Sequence, residues 1–106
     1  MVEIVNLTPH PIVITNGPTF YPSGTVARVA TDHVYDGTIN GVPVYRQAFG
    51  DIENLPAPSD DTIYIVSSIV LAAATDAGRT DCVAPDTARA VRDDNGHIVS
   101  VPGFIS

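Results

Sequence analysis

The chain has no lysine, and its whole basic complement is five arginines: Arg28, Arg46, Arg79, Arg89 and Arg92. Its net charge is −7. Binding a nucleic-acid backbone draws on clustered positive charge that releases counterions, so this composition argues against a nucleic-acid partner. It argues equally against an anionic membrane surface. The acids are scattered and never run together, so a DNA mimic is not indicated. There is one cysteine, Cys82. No intrachain disulfide can form, which fits a reducing cytoplasm, and the simplest reading of Cys82 is a small buried hydrophobe. No charged segment with an apolar run behind it stands near Met1, so no signal peptide is expected. The longest apolar run, Ile69 to Ala74, is far too short to span a bilayer. No internal repeat, no low-complexity tract and no complete catalytic motif is present.

What is present centres on Thr62 to Asp86. Ile63-Tyr64-Ile65-Val66 is a run of four large β-formers, suited to a strand buried on both faces. Ser67 and Ser68 follow, and serine is a preferred helix N-cap. Ile69 to Ala77 then predicts a short, nearly all-apolar helix that should be buried, with Gly78 just past its end. Cys82-Val83-Ala84 predicts a second strand, ended by Pro85. If the two strands are parallel, Ser67 and Ser68 lie at the carboxyl end of the first. Helix N-termini there favour anions, because free amides and the helix dipole both attract negative charge.

The rest of the chain reads as short strands and turns. With 106 residues it forms one domain, residues 1–106, and 44% hydrophobic content argues against disorder. Val2–Leu7 alternates as a strand, Thr8-Pro9-His10-Pro11 breaks it, and Ile12-Val13-Ile14 resumes before an Asn16-Gly17 turn. Thr25–Ala30 and His33–Tyr35 are further short strands, interrupted at Asp36-Gly37. Asn40-Gly41 is a strong hairpin signal. Pro43 places the arm after it at an edge or bulge. Gly50–Asp61 is an acidic loop, and a last hairpin turns at Asp93–Gly96. About eight to ten short strands with one helix predict an α+β fold: a mainly antiparallel bent sheet or small barrel with one central buried helix.

Candidate site residues fall in three segments. Asn6, Thr8 and His10 share one face if the segment is extended, and the prolines beside His10 hold its side chain at low entropic cost. The plainer reading is turn chemistry by Asn6 and Thr8. Ser67 and Ser68 open the helix. Arg79, Thr80 and Asp81 offer a guanidinium and acceptors for a phosphate or a base, or an Arg–Asp pair that holds the turn. Arg92, with Asp86 and Thr87, belongs to the same region. His10, His33 and His97 lack the spacing of a zinc site, so no metal or cofactor is expected. A serine nucleophile at Ser67 or Ser68 lacks the flanking glycines of a nucleophile elbow and would need His10 within hydrogen-bond reach.

Asn6-Leu7-Thr8-Pro9-His10 resembles the opening of small proteins encoded by phages and prophages, many of actinobacterial hosts. The likeness extends to Gly41-Val42-Pro43-Val44, Tyr64-Ile65-Val66-Ser67, Arg79-Thr80-Asp81, Pro85 and Val91-Arg92-Asp93 with Gly96. It implies expression in the cytoplasm of an infected host but brings no established activity with it. By analogy of context, such proteins include oligomeric sponges that sequester nucleotide-type signals of host defence. The expectation is a homo-oligomer that binds a small anionic or nucleotide-like ligand without chemistry. Its site is formed by the three segments, at subunit interfaces because one small domain has little room for a pocket. The alternatives are a phage structural or assembly module and a small hydrolase.

Overall fold

The computed structural model of the chain describes residues 2–106. Ten strands run in chain order: β1 Glu3–Asn6, β2 Ile12–Val13, β3 Thr19–Phe20, β4 Arg28–Ile39, β5 Val42–Glu53, β6 Thr62–Ile65, β7 Cys82–Pro85, β8 Val91–Arg92, β9 Ile98–Ser100 and β10 Phe104–Ile105. One α-helix, α1, spans Ser68–Asp76 between β6 and β7. Strands take up 48% of the chain. The fold is mainly β, and the α+β expectation is wrong. No barrel closes among the described residues, because their strands divide into four small sheets.

The largest sheet has the order β1-β6-β7-β10. Its β1–β6 and β6–β7 pairs are parallel, and only β7–β10 is antiparallel. The expected dominance of antiparallel pairing fails here because α1 carries the chain from the end of β6 back to the start of β7. A helix crossover of this kind makes neighbouring strands parallel. Tyr64, Ile65 and Val66 are buried, as the apolar run predicts, and the core gathers Leu7, Ala27, Val70, Leu71, Ala74, Cys82 and Ala84 around them.

The helix is not buried all round. Val70, Leu71, Ala73 and Ala74 face the core, while Ile69 and Ala72 are exposed. A single helix lying on one side of so small a sheet has no second layer to cover its far side, so its apolar composition did not decide its burial. Ser67 is the N-cap.

The other three sheets are hairpins. An isolated bridge from Asn6 to Pro22 joins β1 to the segment after β3, and one from Ile14 to Val101 joins the β2–β3 and β8–β9 hairpins to each other. β4–β5 is different: each strand is 12 residues long, against the short strands expected. The Asp36-Gly37 interruption is a register shift between Tyr35 and Thr38, where Gly37 adopts φ 103°. A positive-φ glycine lets a strand bulge and continue. Asn40 and Gly41 turn the hairpin at φ 51° and 81°, as a type I′ turn requires. The acidic loop is correspondingly shorter, because β5 runs on to Glu53.

Candidate functional site

β1 ends at Asn6, and Thr8 to His10 bend away from it. The one-face argument for Asn6, Thr8 and His10 therefore does not hold, because the segment is not extended past Asn6. Asn6 is 2% exposed and acts as the hub of the bend. Its Nδ2 donates to the carbonyls of His10 and Phe20, both at 2.9 Å. Its Oδ1 accepts from the Thr8 amide at 2.9 Å and from Thr8 Oγ1 at 2.7 Å. The Thr8 hydroxyl also lies 3.0 Å from the His10 carbonyl. Turn chemistry accounts for Asn6 completely, since each polar atom of its side chain has a partner inside the bend.

The bend turns His10 outward onto a cleft of about 920 Å³. One wall is the Thr8–Val13 segment, the second is the helix start at Ser67 and Ser68, and the third is the β8–β9 hairpin from Arg92 through Gly96 to Val101. Pro85 and Thr87 close the end. Ile12, Val13, Ile98, Val99 and Val101 give it an apolar lining, with polar groups from Thr8, His10, Ser67, Ser68, Thr87, Arg92 and His97. A smaller cavity of about 310 Å³ adjoins it and shares Thr8, Pro9 and Ser67. One chain thus holds a cleft of ligand size, and a subunit interface is not needed to make one.

The helix start on this cleft is electropositive by construction. Ser67 Oγ accepts from the Val70 amide at 3.4 Å. The amides of the first turn have no carbonyl within the helix to reach, and no acidic residue stands in that turn to offset the dipole. Arg92 donates through Nη1 to the Gly96 carbonyl at 2.8 Å, which fixes it to its own hairpin. It forms no ion pair with a carboxylate among the described residues, whereas Arg79 and Arg89 do.

Arg79, Thr80 and Asp81 lie past the other end of α1 and do not line the cleft. A nine-residue helix separates the two places by about 13 Å. Arg79 Nε donates to Asp81 Oδ1 at 3.0 Å, and Nη2 donates to Asp81 Oδ2 and to the Pro56 carbonyl, both at 2.8 Å. This two-point pairing holds the Asp81 carboxyl below its ordinary range and raises the Arg79 guanidinium. The group joins the turn after α1 to the loop after β5. Thr80 is exposed beside it. Asp86, grouped with Arg92 in the sequence, is instead paired with Arg89 at 2.7 Å.

Cys82 is buried, and burial, followed by the adjacent Asp81 carboxylate, pushes its thiol up to about 11. Neither Ser67 nor Ser68 is hydrogen-bonded to an imidazole among the described residues, so the contact a hydrolase would need is not formed. No group of three or more His, Cys, Asp or Glu side chains close enough to hold a metal occurs among the described residues, although His10 and His97 share the cleft. No helix among them is long and apolar enough to cross a membrane.

Sequence reasoning missed His97 and the β8–β9 wall. Its one signal was the turn at Asp93–Gly96, which predicts a hairpin but not what that hairpin faces. No family model, curated protein or solved structure matches the chain.

Proposed function

We propose that the chain binds a small anionic, nucleotide-like ligand in this cleft without altering it, acting as a phage-encoded sponge for a host defence signal in the host cytoplasm. One observation carries the reading: Thr8 and His10 meet Ser67 and Ser68, from a distant part of the chain, on one cleft together with an Arg92 that has no carboxylate partner among the described residues. The division of labour follows from the chemistry. Arg92 and the first-turn amides of α1 take the anionic group, Arg92 by two-point hydrogen bonding. The imidazoles of His10 and His97 and the hydroxyls of Thr8 and Thr87 hydrogen-bond the polar edge of the ligand. Ile12, Val13, Ile98 and Val99 cover its flat apolar face. A volume of about 920 Å³ suits a molecule of nucleotide size.

The test is a thermal-shift screen against mono-, di- and cyclic nucleotides, followed by recovery of the ligand after denaturation. A ligand bound only by the native state at a hundredfold excess over Kd adds about 2.7 kcal/mol, on the order of 10 °C in Tm for a domain of this size. A shift with intact ligand recovered is the expected result. A shift with altered ligand would make the protein an enzyme, and no shift across the panel would overturn the reading. The competing assembly-module reading has one observation in its favour, the exposed β4–β5 hairpin.

A further inference from the structure

That hairpin holds the two longest strands of the molecule among the described residues. Its base is anchored, since Val29 and Ile52, which pair with each other, and Leu55 just beyond them pack against the core. A bulge follows between Val29 and Thr31. Beyond it, from Ala30 to Gln47, all but Gly37 and Val44 are exposed. Tyr35 and Tyr45 are each 58% exposed, and Ile39 is 66% exposed. Among the described residues neither strand pairs with any strand but the other, so both outer edges of the ribbon are open there.

The dimensions agree. The radius of gyration is 16.1 Å with extents of 49 × 39 × 20 Å, where a compact chain of this length has about 13 Å. The accessible surface is 7021 Å², against about 5,700 Å² for a compact monomer of this mass. The excess of about 1,300 Å² exceeds the roughly 800 Å² that each partner contributes to a stable interface. A two-stranded ribbon left alone in water is marginal at best, and packing one of its faces on another surface stabilises it.

The register shows what the ribbon offers. Thr31 faces Phe49, His33 faces Gln47, and Tyr35 faces Tyr45 with ring centroids 5.9 Å apart. Opposed residues share a face and alternate residues return to it, so these six form one face with no formal charge. Asp32, Val34, Arg46 and Ala48 lie on the other. Between Ala30 and Phe49 the net charge is −1, from Asp32 and Asp36 against Arg46, so the body carries −6 of the chain's −7. A face without charge meets its own copy without repulsion, whereas a site for an acidic or basic partner would carry the opposite sign. The arm reaches about 30 Å beyond its base. Two acidic bodies at opposite ends of paired arms therefore stand farther apart than the screening length of about 8 Å.

We propose that the Arg28–Glu53 hairpin is a dimerisation arm, and that its uncharged Thr31, His33, Tyr35, Tyr45, Gln47 and Phe49 face packs on the same face of a second copy about a two-fold axis. The inference is independent of the ligand proposal. It is tested by light scattering on a sizing column, with the whole chain alone. The expected mass is twice 11.2 kDa. Tyr35→Glu with Tyr45→Glu places like charges opposite one another in the interface and should weaken the dimer roughly a hundredfold. Because Tyr35 and Tyr45 also pair across the ribbon of one chain, Tyr35→Glu alone, which sets no like charges opposite each other within that chain, should also weaken the dimer and leave circular dichroism unchanged. Val34→Glu, on the opposite face, should leave the dimer intact. A monomeric wild type, a trimer or larger assembly, a dimer that survives the double substitution, or a lone chain that is monomeric yet captures a different protein through the arm would each overturn the proposal.

Discussion

Thr8 Oγ1 stands 2.7 Å from Asn6 Oδ1, and both side chains are buried. That contact ends the first strand and aims the following residues at the cleft. Replacing Asn6 with Ala would leave the buried Thr8 amide and the half-buried carbonyls of His10 and Phe20 short of partners. Unpaired buried polar groups cost more than the bonds themselves contribute. Asn6→Ala should lower unfolding stability by about 3 kcal/mol, read as a fall in the urea midpoint with the slope unchanged.

Arg79 spends its guanidinium on Asp81 and the Pro56 carbonyl. Arg79→Met should cost about 2–3 kcal/mol, because it strands the Asp81 carboxylate and frees the Pro56 carbonyl. It should leave affinity for any ligand of the cleft within twofold, measured by calorimetry. The pair also sets an acid dependence. The Asp81 carboxyl is depressed in the folded state, so its contribution is complete above the ordinary carboxylate value of about 3.9 and is lost as pH falls through the lower folded value. Melting temperatures between neutral and strongly acid pH should therefore fall more steeply for the wild type than for Arg79→Met.

Cys82 gives the opposite slope. Its thiol is raised from 9.0 to about 11 when folded. The stability tied to keeping it neutral is complete below pH 9 and is lost as pH rises towards 11. Cys82→Ala should flatten the alkaline loss of stability, the difference between the two proteins removing the tyrosine contribution. A thiol reagent near neutral pH should label native protein far more slowly than unfolded protein.

The cleft makes a prediction of its own. Arg92 is exposed and bonded only to its own turn, so Arg92→Met should leave Tm within about 2 °C. It should weaken binding of the nucleotide that scores in the thermal screen by roughly tenfold to a hundredfold, the worth of a charge-assisted hydrogen bond. Ser67→Ala, by contrast, should lower stability by about 1 kcal/mol through loss of the N-cap. Calorimetry beside thermal melts separates the two effects.

The sequence by itself determined the features that depend on a few neighbouring residues. Asn40-Gly41 turns a hairpin because those two residues accept left-handed backbone. Ser67 caps α1 because its hydroxyl reaches an amide three residues on. Ile65 and Val66 are fully buried, having no polar atom in their side chains to keep in water. Four of the eight candidate site residues, Thr8, His10, Ser67 and Ser68, line one cleft. Their local chemistry marked them, but nothing local indicated that residues so far apart in sequence would meet.

The tertiary structure decided the rest, because packing and strand pairing are made by residues far apart. The acidic composition favours a structural Arg79 over a ligand-binding one, and the Pro56 carbonyl, 23 residues away, completes its hydrogen bonding in a way that no neighbouring residue signals. Ile69 and Ala72 are as apolar as their buried neighbours and are exposed because no second layer covers that side of the helix. Gly37 reads as a stop in the sequence, but with β5 alongside it becomes a bulge within one long strand. Whether the strands close into a barrel depends on how their edges meet, and among the described residues β4 and β5 pair only with each other.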